Sequence, residues 1–119
     1  MSAGRDNPQT ISVDDFMKVD IRAGTVLSAA LNPKAKNPAY KLEIDFGDAL
    51  GVKTSSARLT QNYTGDALVG KQVCAVVNFP PLRVAGVKSE VLVLAVVCKD
   101  AGTVLVEPNK PVANGERLA

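Results

Sequence analysis

The hydrophobic residues of this chain recur mainly with a period of two, the spacing of β-strands that bury one face. The clearest case is AYKLEIDF, in which every second residue from Tyr40 to Phe46 is hydrophobic and the residues between them are charged. A Gly–Asp turn follows, and LGVKTSSA, residues 50–57, is predicted to be the partner strand. We therefore expect an antiparallel strand pair in this region.

Four further segments have the composition of strands. DIRAGTVLSAAL, residues 20–31, contains Gly24, which indicates a bulge or a sharp bend. KQVCAVVNF (71–79) and SEVLVLAVV (89–97) are the most apolar segments and are expected at the centre of the sheet. GTVLVEP (102–108) follows the turn signal KDAG and returns as the last predicted strand.

Helical signals in the chain are short. Ser12 and Asp15 in SVDDFMKV resemble a capping box, and LTQNYTGDALVG, residues 59–70, has room for one or two helical turns. Short strands with bends, and a brief helix between the third and fourth strands, predict an all-β fold: a five-stranded Greek-key barrel of the OB type with a short N-terminal helix. A two-sheet sandwich is the alternative, because strand spacing alone does not separate the two.

The length of 119 residues fits one domain, which we assign to residues 11–119 after a loose N-terminal arm of residues 1–10. Hydrophobic residues make up 46% of the chain, yet no apolar stretch is long enough for a membrane span, and no secretion signal is recognisable. We therefore expect a cytoplasmic protein without membrane insertion.

The chain contains no histidine, which excludes Ser–His and Cys–His catalytic pairs and histidine metal sites within it. Cys74 and Cys98 lie in apolar runs and are interpreted as buried thiols. The sequence has neither a phosphate-binding loop of the G-x-x-x-x-G-K type nor acids at a recognisable catalytic spacing. The prediction is a protein that is not an enzyme and that uses no metal or other cofactor.

The connection inside VNFPPLRVAGVKSEVLVLAVV, residues 77–97, is the first candidate binding site. Its two prolines donate no backbone hydrogen bond and stiffen the chain, while its arginine, lysine and neutral polar side chains suit a phosphate or a peptide carboxylate. A plain turn with solvated charges is the alternative. The candidate residues are Asn78, Phe79, Pro80, Pro81, Arg83, Gly86, Lys88 and Ser89. Glu90, which follows them, is interpreted as an edge charge or as a salt-bridge partner of Lys88 or Arg83.

Two other segments carry similar chemistry. In KTSSARLT, residues 53–60, Ser55, Ser56 and Arg58 suit phosphate or sugar contacts, although turn capping explains the hydroxyls nearly as well. In NPKAKNPAYK, residues 32–41, three lysines could extend a basic face, and a solvated loop is the alternative: Lys34, Lys36 and Lys41. The net charge is only +2, so an electrostatic site must come from local clustering of such residues.

Aromatic side chains for base stacking are scarce. Phe46 belongs to the core by alternation and Phe16 to the apolar side of the predicted helix, which leaves Phe79, Tyr63 and Tyr40. Phe79 beside two prolines could equally line an apolar groove for a peptide side chain.

The motifs VDIRAGTV, KLEIDFG, SSARLTQNY, GKQVCAVVNFPP and AGVKSEVLVLA, in this order, closely resemble the CsaA family. These are small bacterial relatives of the tRNA-binding module found in structure-specific tRNA-binding proteins and appended to some aminoacyl-tRNA synthetases. The resemblance runs from about Ile11 to Ala119. Generic modules carry NLKP where this chain reads NFPP, and a histidine–proline pair where it has Asn32 and Pro33; both differences agree with the CsaA branch.

The resemblance implies an OB-fold homodimer in which SVDDFMKVDIR (12–22) and VEPNKPVANGERL (106–118) flank the barrel and pack against the partner. It places the family's asparagine, glycine and serine signature on Asn78, Gly86 and Ser89, its serine pair on Ser55 and Ser56, and its basic positions on Arg83 and Lys88. The prediction is a protein-secretion chaperone that binds unfolded or precursor polypeptides, works with the secretion machinery and has a capacity to bind tRNA or other RNA. The alternative is an RNA-binding module whose main ligand is structured tRNA.

Overall fold

A computed structural model of the chain describes residues 9–119, which contain two short helices and nine strands. The helices are α1 (Val13–Met17) and α2 (Gly65–Leu68). The strands are β1 (Ile21–Leu31), β2 (Tyr40–Asp45), β3 (Val52–Ala57), β4 (Gln72–Val76), β5 (Leu82–Val84), β6 (Val87–Ser89), β7 (Leu92–Val93), β8 (Ala95–Cys98) and β9 (Gly102–Leu105). Most of the predicted N-terminal arm lies outside the described residues, so its boundary at residue 10 stays a prediction.

The main sheet has five antiparallel strands in the order β3-β2-β1-β4-β7. The long β1 pairs with β4 through its first half and with β2 through its second half, so the sheet curls around it. The α2 helix lies between β3 and β4 in the chain, as the sequence predicted. This order and curvature are those of an OB barrel, which confirms the predicted all-β Greek-key fold and rules out the sandwich.

Residues 88–91 close the barrel against β3. The backbone N–H of Glu90 donates to the carbonyl of Thr54 at 2.8 Å, and the Ser55 hydroxyl donates to the carbonyl of Val91 at 2.9 Å. The Ser56 N–H donates to the Ser89 hydroxyl at 3.1 Å. Side chains therefore supply much of the hydrogen bonding at this junction, which we call the β3 seam.

The predicted alternation of β2 is confirmed, because Leu42, Ile44 and Phe46 are almost fully buried in the main core. Of the bulge or sharp bend predicted at Gly24, the bulge is wrong, because the irregularity of β1 lies between Val26 and Ser28. A Cβ atom at Gly24 would lie 2.7 Å from the Ile44 Cγ2 atom, so close packing of the core explains the glycine.

SEVLVLAVV does not form one central strand, which corrects that prediction. The Leu94 N–H donates to the Cys74 carbonyl, while the Leu94 carbonyl accepts from Val106, so the chain passes from pairing with β4 to pairing with β9. In the resulting β8–β9 hairpin, Leu105 is still buried in the main core, whereas Val97 is 82% exposed. Apolar composition identified these strands but not where they separate from the sheet.

Both flanking segments pack on the outer side of the barrel, where a second apolar cluster surrounds Cys74. Its members are Ile21, Cys74 and Val76, with Phe16, Val19, Leu94 and Leu118 packed against them. The two segments are also joined by Arg117, whose Nε lies 3.6 Å from the Asp20 Oδ1 and whose guanidinium donates to the Met17 carbonyl. Cys74 is buried as expected, and its burial raises the pKa of the thiol, whereas Cys98 is only half-buried.

Candidate functional site

The connection after NFPP folds into a hairpin of its own, which the sequence did not predict. Strands β5 and β6 pair from Leu82 to Ser89 around a two-residue turn of Ala85 and Gly86. Both turn residues have positive φ, 47° and 86°, as a type I′ turn requires. The turn therefore explains why a glycine is found at position 86.

Arg83 and Lys88 form a directly opposed pair in this hairpin. Both side chains are exposed, and the Arg83 Nη1 donates to the Gly86 carbonyl at 3.1 Å, which draws the guanidinium toward the turn. One edge of the molecule therefore presents two cations on a short, twisted strand pair.

The hairpin is held to the barrel through the β3 seam. The Thr54 hydroxyl donates to the Lys88 carbonyl at 2.6 Å, and the Thr54 N–H donates to the Glu90 carboxylate at 3.0 Å. That backbone hydrogen bond, more than the neighbouring lysines, lowers the pKa of Glu90. The predicted salt bridge of Glu90 to Lys88 or Arg83 is absent from the ion pairs of residues 9–119, since its partner is Thr54.

The lysine-bearing loop between β1 and β2 contacts the tip of the hairpin. The Asn32 amide donates to the Ala85 carbonyl at 3.2 Å, and its Oδ1 accepts from the Lys34 N–H at 3.1 Å. The Lys34 side chain passes over Gly86, where an added Cβ would lie 3.6 Å from its Cδ and 4.0 Å from its Nζ. Lys34, which sequence analysis assigned to a separate loop, therefore lies at the same hairpin as Arg83 and Lys88.

None of these three cations is neutralised by an acidic side chain among the described residues. The ion pairs found between residues 9 and 119 involve Lys18, Arg22, Lys71 and Arg117 instead. We call Lys34, Arg83 and Lys88, together with the turn between them, the hairpin surface. Its charge is available to an anion from outside the described chain.

An apolar groove of about 430 Å³ adjoins the hairpin surface. One wall runs from Phe79 to Leu82 and the other from Ser89 to Leu92. Phe79 is 49% exposed, and Leu82 and Leu92 are also exposed. Pro80 and Pro81 lie between the end of β4 and the start of β5, so the structure brings these sequence candidates together along one groove.

Two sequence candidates make internal contacts instead. Ser55 is 1% exposed, and its hydroxyl is used in the β3 seam, so it is removed from the candidate surface. Asn78 uses both ends of its amide: the Nδ2 donates to the Lys18 carbonyl at 2.7 Å, and the Oδ1 accepts from the Asp20 N–H at 3.0 Å. Asn78 therefore joins the end of β4 to the segment between α1 and β1.

Ser56 and Arg58 lie away from the tip of the hairpin. Ser56 is half-buried beside Ser89, whose hydroxyl accepts its N–H. Arg58 is exposed just after β3 and lines a different groove, which also contains Leu92, Val97 and Thr103. Arg58, the cation of the second candidate segment, thus lines a different groove from the one that adjoins the hairpin surface.

Fewer aromatic side chains are exposed for base stacking than the sequence indicated. Tyr40 is buried, and its hydroxyl donates to the Tyr63 carbonyl at 2.8 Å. The Tyr63 hydroxyl in turn accepts from the Leu105 N–H at 3.0 Å. Among residues 9–119, Phe79 is the only aromatic side chain in the exposed class. Any stacking platform in this part of the chain therefore depends on Phe79.

Two further observations concern residues 9–119 alone. No group of three or more His, Cys, Asp or Glu side chains is arranged to hold a metal ion. The helices in this range are also too short and too polar to cross a bilayer.

Comparison with known proteins gives a family for this fold. The family model of the tRNA binding domain matches residues 21–117. The structure is similar to that of the chaperone CsaA from Bacillus anthracis, with a TM-score of 0.87 and 48% identity over 93% of this chain and 100% of that chain. It is also similar to the CsaA chaperone protein of Picrophilus torridus, with a TM-score of 0.86 and 44% identity over 92% of this chain and 100% of that chain.

A longer relative is the methionine–tRNA ligase of Porphyromonas gingivalis, 36% identical over 110 residues. The match covers 92% of this chain and 16% of that enzyme, so the shared part is a small fraction of the ligase. The fold and the family match define the class as a nucleic-acid-binding type of OB domain. The chain belongs to the tRNA binding domain family and is a CsaA-like member of it, as the sequence motifs predicted.

Proposed function

We propose that this protein binds RNA, with tRNA as the ligand class, through the hairpin surface and Phe79. The observation that carries the proposal is the meeting of three cations from two chain segments without an acidic partner among the described residues. In OB folds, the loop between the first two strands and the loop between the last two bind oligonucleotides. Lys34 lies in the first of these loops here, and the β5–β6 hairpin replaces the second.

The charge arrangement supports a polyanionic ligand on energetic grounds. Like charges directly opposite each other in a strand pair are destabilising, so Arg83 and Lys88 weaken their own hairpin. A phosphate backbone would offset this repulsion and release counterions as it binds. The exposed ring of Phe79 lies beside the same hairpin and offers a face on which one base can stack.

The experiment that tests the proposal is fluorescence anisotropy of the purified protein with labelled bulk tRNA, titrated from low to physiological salt. If the three cations of one hairpin surface each neutralise one phosphate, the slope of log affinity against log salt should be about −2. Absence of binding at low salt, or an affinity insensitive to salt, would contradict RNA binding at this surface.

A second candidate function is binding of unfolded or precursor polypeptides, in the cytoplasm and with the secretion machinery as partner. Two observations favour it: the similar solved structures are of proteins named as chaperones, and the Phe79–Leu92 groove is mainly apolar. Apolar side chains of a polypeptide would enter the groove while the neighbouring cations attract acidic residues. Both proposed functions consist of binding, without a chemical step.

We also propose that the protein forms a homodimer through the outer apolar cluster and the two flanking segments. A groove of about 280 Å³ on this side is lined by Cys74, Val106, Val112 and Leu118. Val106 and Val112 are more than a third exposed at its rim. A two-fold partner would cover these side chains and would bring two hairpin surfaces into one assembly.

A further inference from the structure

We propose that Lys34, Arg83 and the turn at Gly86 form a binding site for one phosphodiester group, and that Asn32 is the residue that positions Lys34 there. The inference rests on the proposed RNA binding and adds to it a defined site. It assigns the loop between β1 and β2 a direct part in ligand contact.

The first argument is that two cations from distant parts of the chain meet at one glycine. The Arg83 guanidinium donates to the Gly86 carbonyl at 3.1 Å, and the Lys34 Nζ lies 4.0 Å from where a Gly86 Cβ would be. Arg83 has five N–H donors and uses one of them here, so others remain for an anion. Because Gly86 has no side chain, the surface between the two cations is open to a phosphate.

The second argument is that Lys34 is held in place through its backbone. The Asn32 Oδ1 accepts from the Lys34 N–H at 3.1 Å, while the Nδ2 of the same amide donates to the Ala85 carbonyl at 3.2 Å. One side chain thus fixes the start of the loop and joins it to the hairpin turn. A lysine on an untethered loop would lose more conformational freedom when it bound a phosphate.

The third argument is electrostatic. Lys34 and Arg83 both reach Gly86, and Lys88 lies opposite Arg83, although no acidic side chain of residues 9–119 forms an ion pair with any of the three. Packing of the Lys34 stem over the turn could hold that side chain in place on its own, with the ammonium group left in water. The two explanations differ in whether the Lys34 charge contributes to RNA affinity.

The test measures anisotropy with labelled bulk tRNA over a series of salt concentrations for the wild type, Lys34→Ala, Asn32→Ala, the double variant and Arg83→Ala. Lys36→Ala is the matched control, because Lys36 is an exposed lysine of the same loop. Lys34→Ala should weaken binding about two- to fivefold at low salt, the size of an exposed ion pair. It should also reduce the steepness of the salt slope by about 0.7.

Asn32→Ala should also weaken binding and make the salt slope less steep, as Lys34→Ala does, although it removes no charge. The double variant should bind no more weakly than Lys34→Ala. That non-additivity separates a positioning residue from one that contacts RNA by itself. Urea unfolding midpoints close to that of the wild type would show that the variants are folded.

Several outcomes would overturn the inference. If Lys34→Ala behaves like Lys36→Ala while Arg83→Ala loses affinity, RNA binding stands and the phosphodiester site is wrong. If the effects of Asn32→Ala and Lys34→Ala add, Asn32 does not act through Lys34. If the wild type binds no tRNA even at low salt, the proposed function and this site both fail.

Discussion

Arg83 and Lys88 are direct cross-strand neighbours in the β5–β6 hairpin, so one strand pair carries two like charges. The hairpin persists because Thr54, Ser89 and Glu90 fasten its second strand to β3 and Asn32 fastens its turn. The barrel thereby supports a charge arrangement that an isolated hairpin would disfavour.

Lys88→Glu should abolish RNA binding and change the free energy of unfolding little. The substitution replaces the repulsive cross-strand pair with Arg83 by an attractive one, worth about 0.2–1 kcal/mol, but it also replaces the attraction between Lys88 and Glu90 by repulsion. It places a negative charge where a phosphate would bind. Urea denaturation and tRNA anisotropy on the same preparation measure both effects. Lys99→Glu, in the turn between β8 and β9, is the charge-matched control and should retain most of the affinity. Equal losses of binding in the two variants would mean that net charge alone governs affinity.

Ser55→Ala should destabilise the fold without altering the ligand surface. The substitution removes the shorter of two hydroxyl hydrogen bonds to the Val91 carbonyl and leaves it the one from Ser89 at 3.3 Å, at a cost of about 1 kcal/mol. Ser56→Ala is the matched control, because Ser56 is half-buried and contributes only its backbone N–H to the β3 seam. This substitution should change the free energy of unfolding by less than about 0.5 kcal/mol. Chemical denaturation measures the free energy of unfolding of both variants. If Ser55→Ala has the stability of the wild type but fails to bind RNA, Ser55 is part of the binding site after all.

Glu90 should make the protein less stable in acid. Hydrogen bonds from Thr54 lower the pKa of the folded carboxyl below its ordinary value of 4.5, so the unfolded chain takes up this proton at higher pH than the folded one. The stabilisation is present above about pH 4.5 and is lost as the pH falls through the folded pKa. Glu90→Gln should therefore reduce the decrease in unfolding free energy between about pH 7 and about pH 3.

Part of the acid sensitivity should remain in Glu90→Gln. Hydrogen bonding from Arg22 lowers the pKa of Asp20 as well, and that carboxyl is unaffected by the substitution. Urea unfolding at several pH values separates the two contributions. Identical pH profiles for the wild type and Glu90→Gln would show that the β3 seam does not depend on the charge of Glu90.

Val106→Asp should dissociate the proposed dimer. The substitution places a carboxylate in the apolar groove beside Cys74 and Leu118, which a partner would have to desolvate. Sedimentation velocity over a range of concentrations should show a monomer, whereas the wild type and the control Val52→Asp stay dimeric. Val52 is exposed to a similar extent but lies on β3, outside this groove. A wild type that is monomeric throughout the range would remove the dimer from the proposal.

Phe79→Ala should distinguish the two candidate ligands in combination with Lys88→Ala. Loss of the exposed ring should weaken binding of an unfolded polypeptide. It should also weaken binding of RNA, because base stacking on an aromatic ring contributes about 1–3 kcal/mol per base. Lys88→Ala should affect RNA more strongly than polypeptide. Val69→Ala, at another half-exposed apolar position, serves as the control. Unchanged polypeptide affinity in Phe79→Ala would mean that the groove is not the polypeptide site.

The sequence was most informative where one physical signal dominates. Strict alternation located β2, and the Ser12 cap located α1, where the Ser12 hydroxyl accepts from the Asp15 N–H at 3.0 Å. The sequence was least informative at polar side chains. A serine at position 55 and an asparagine at position 78 do not reveal whether their hydrogen-bond partners are ligands or backbone groups of the same chain, as they are for Ser55 and Asn78.

Contacts between distant segments were also beyond a single sequence. Asn32 and the turn at Ala85 meet only once the barrel has formed, and an Ala–Gly turn lacks the Asn–Gly or Asp–Gly signal that marks a type I′ hairpin. Lys34 was therefore assigned to a solvated loop or a general basic face rather than to the hairpin. The grouping of Lys34 with Arg83 and Lys88 came from the structure.

The double pairing of β1 has a consequence for the order in which the chain can fold. Its pairing with β2 joins neighbours in the sequence, whereas its pairing with β4, and the bridge from Arg22 to Arg117, require chain segments made much later. During synthesis the meander of β1, β2 and β3 can therefore assemble first, while the first half of β1, which buries Ile21 and Ala23 in the finished fold, waits for β4 and the C-terminal segment. A nascent chain of this protein thus exposes for a time the kind of unpaired strand that a polypeptide-binding groove would recognise.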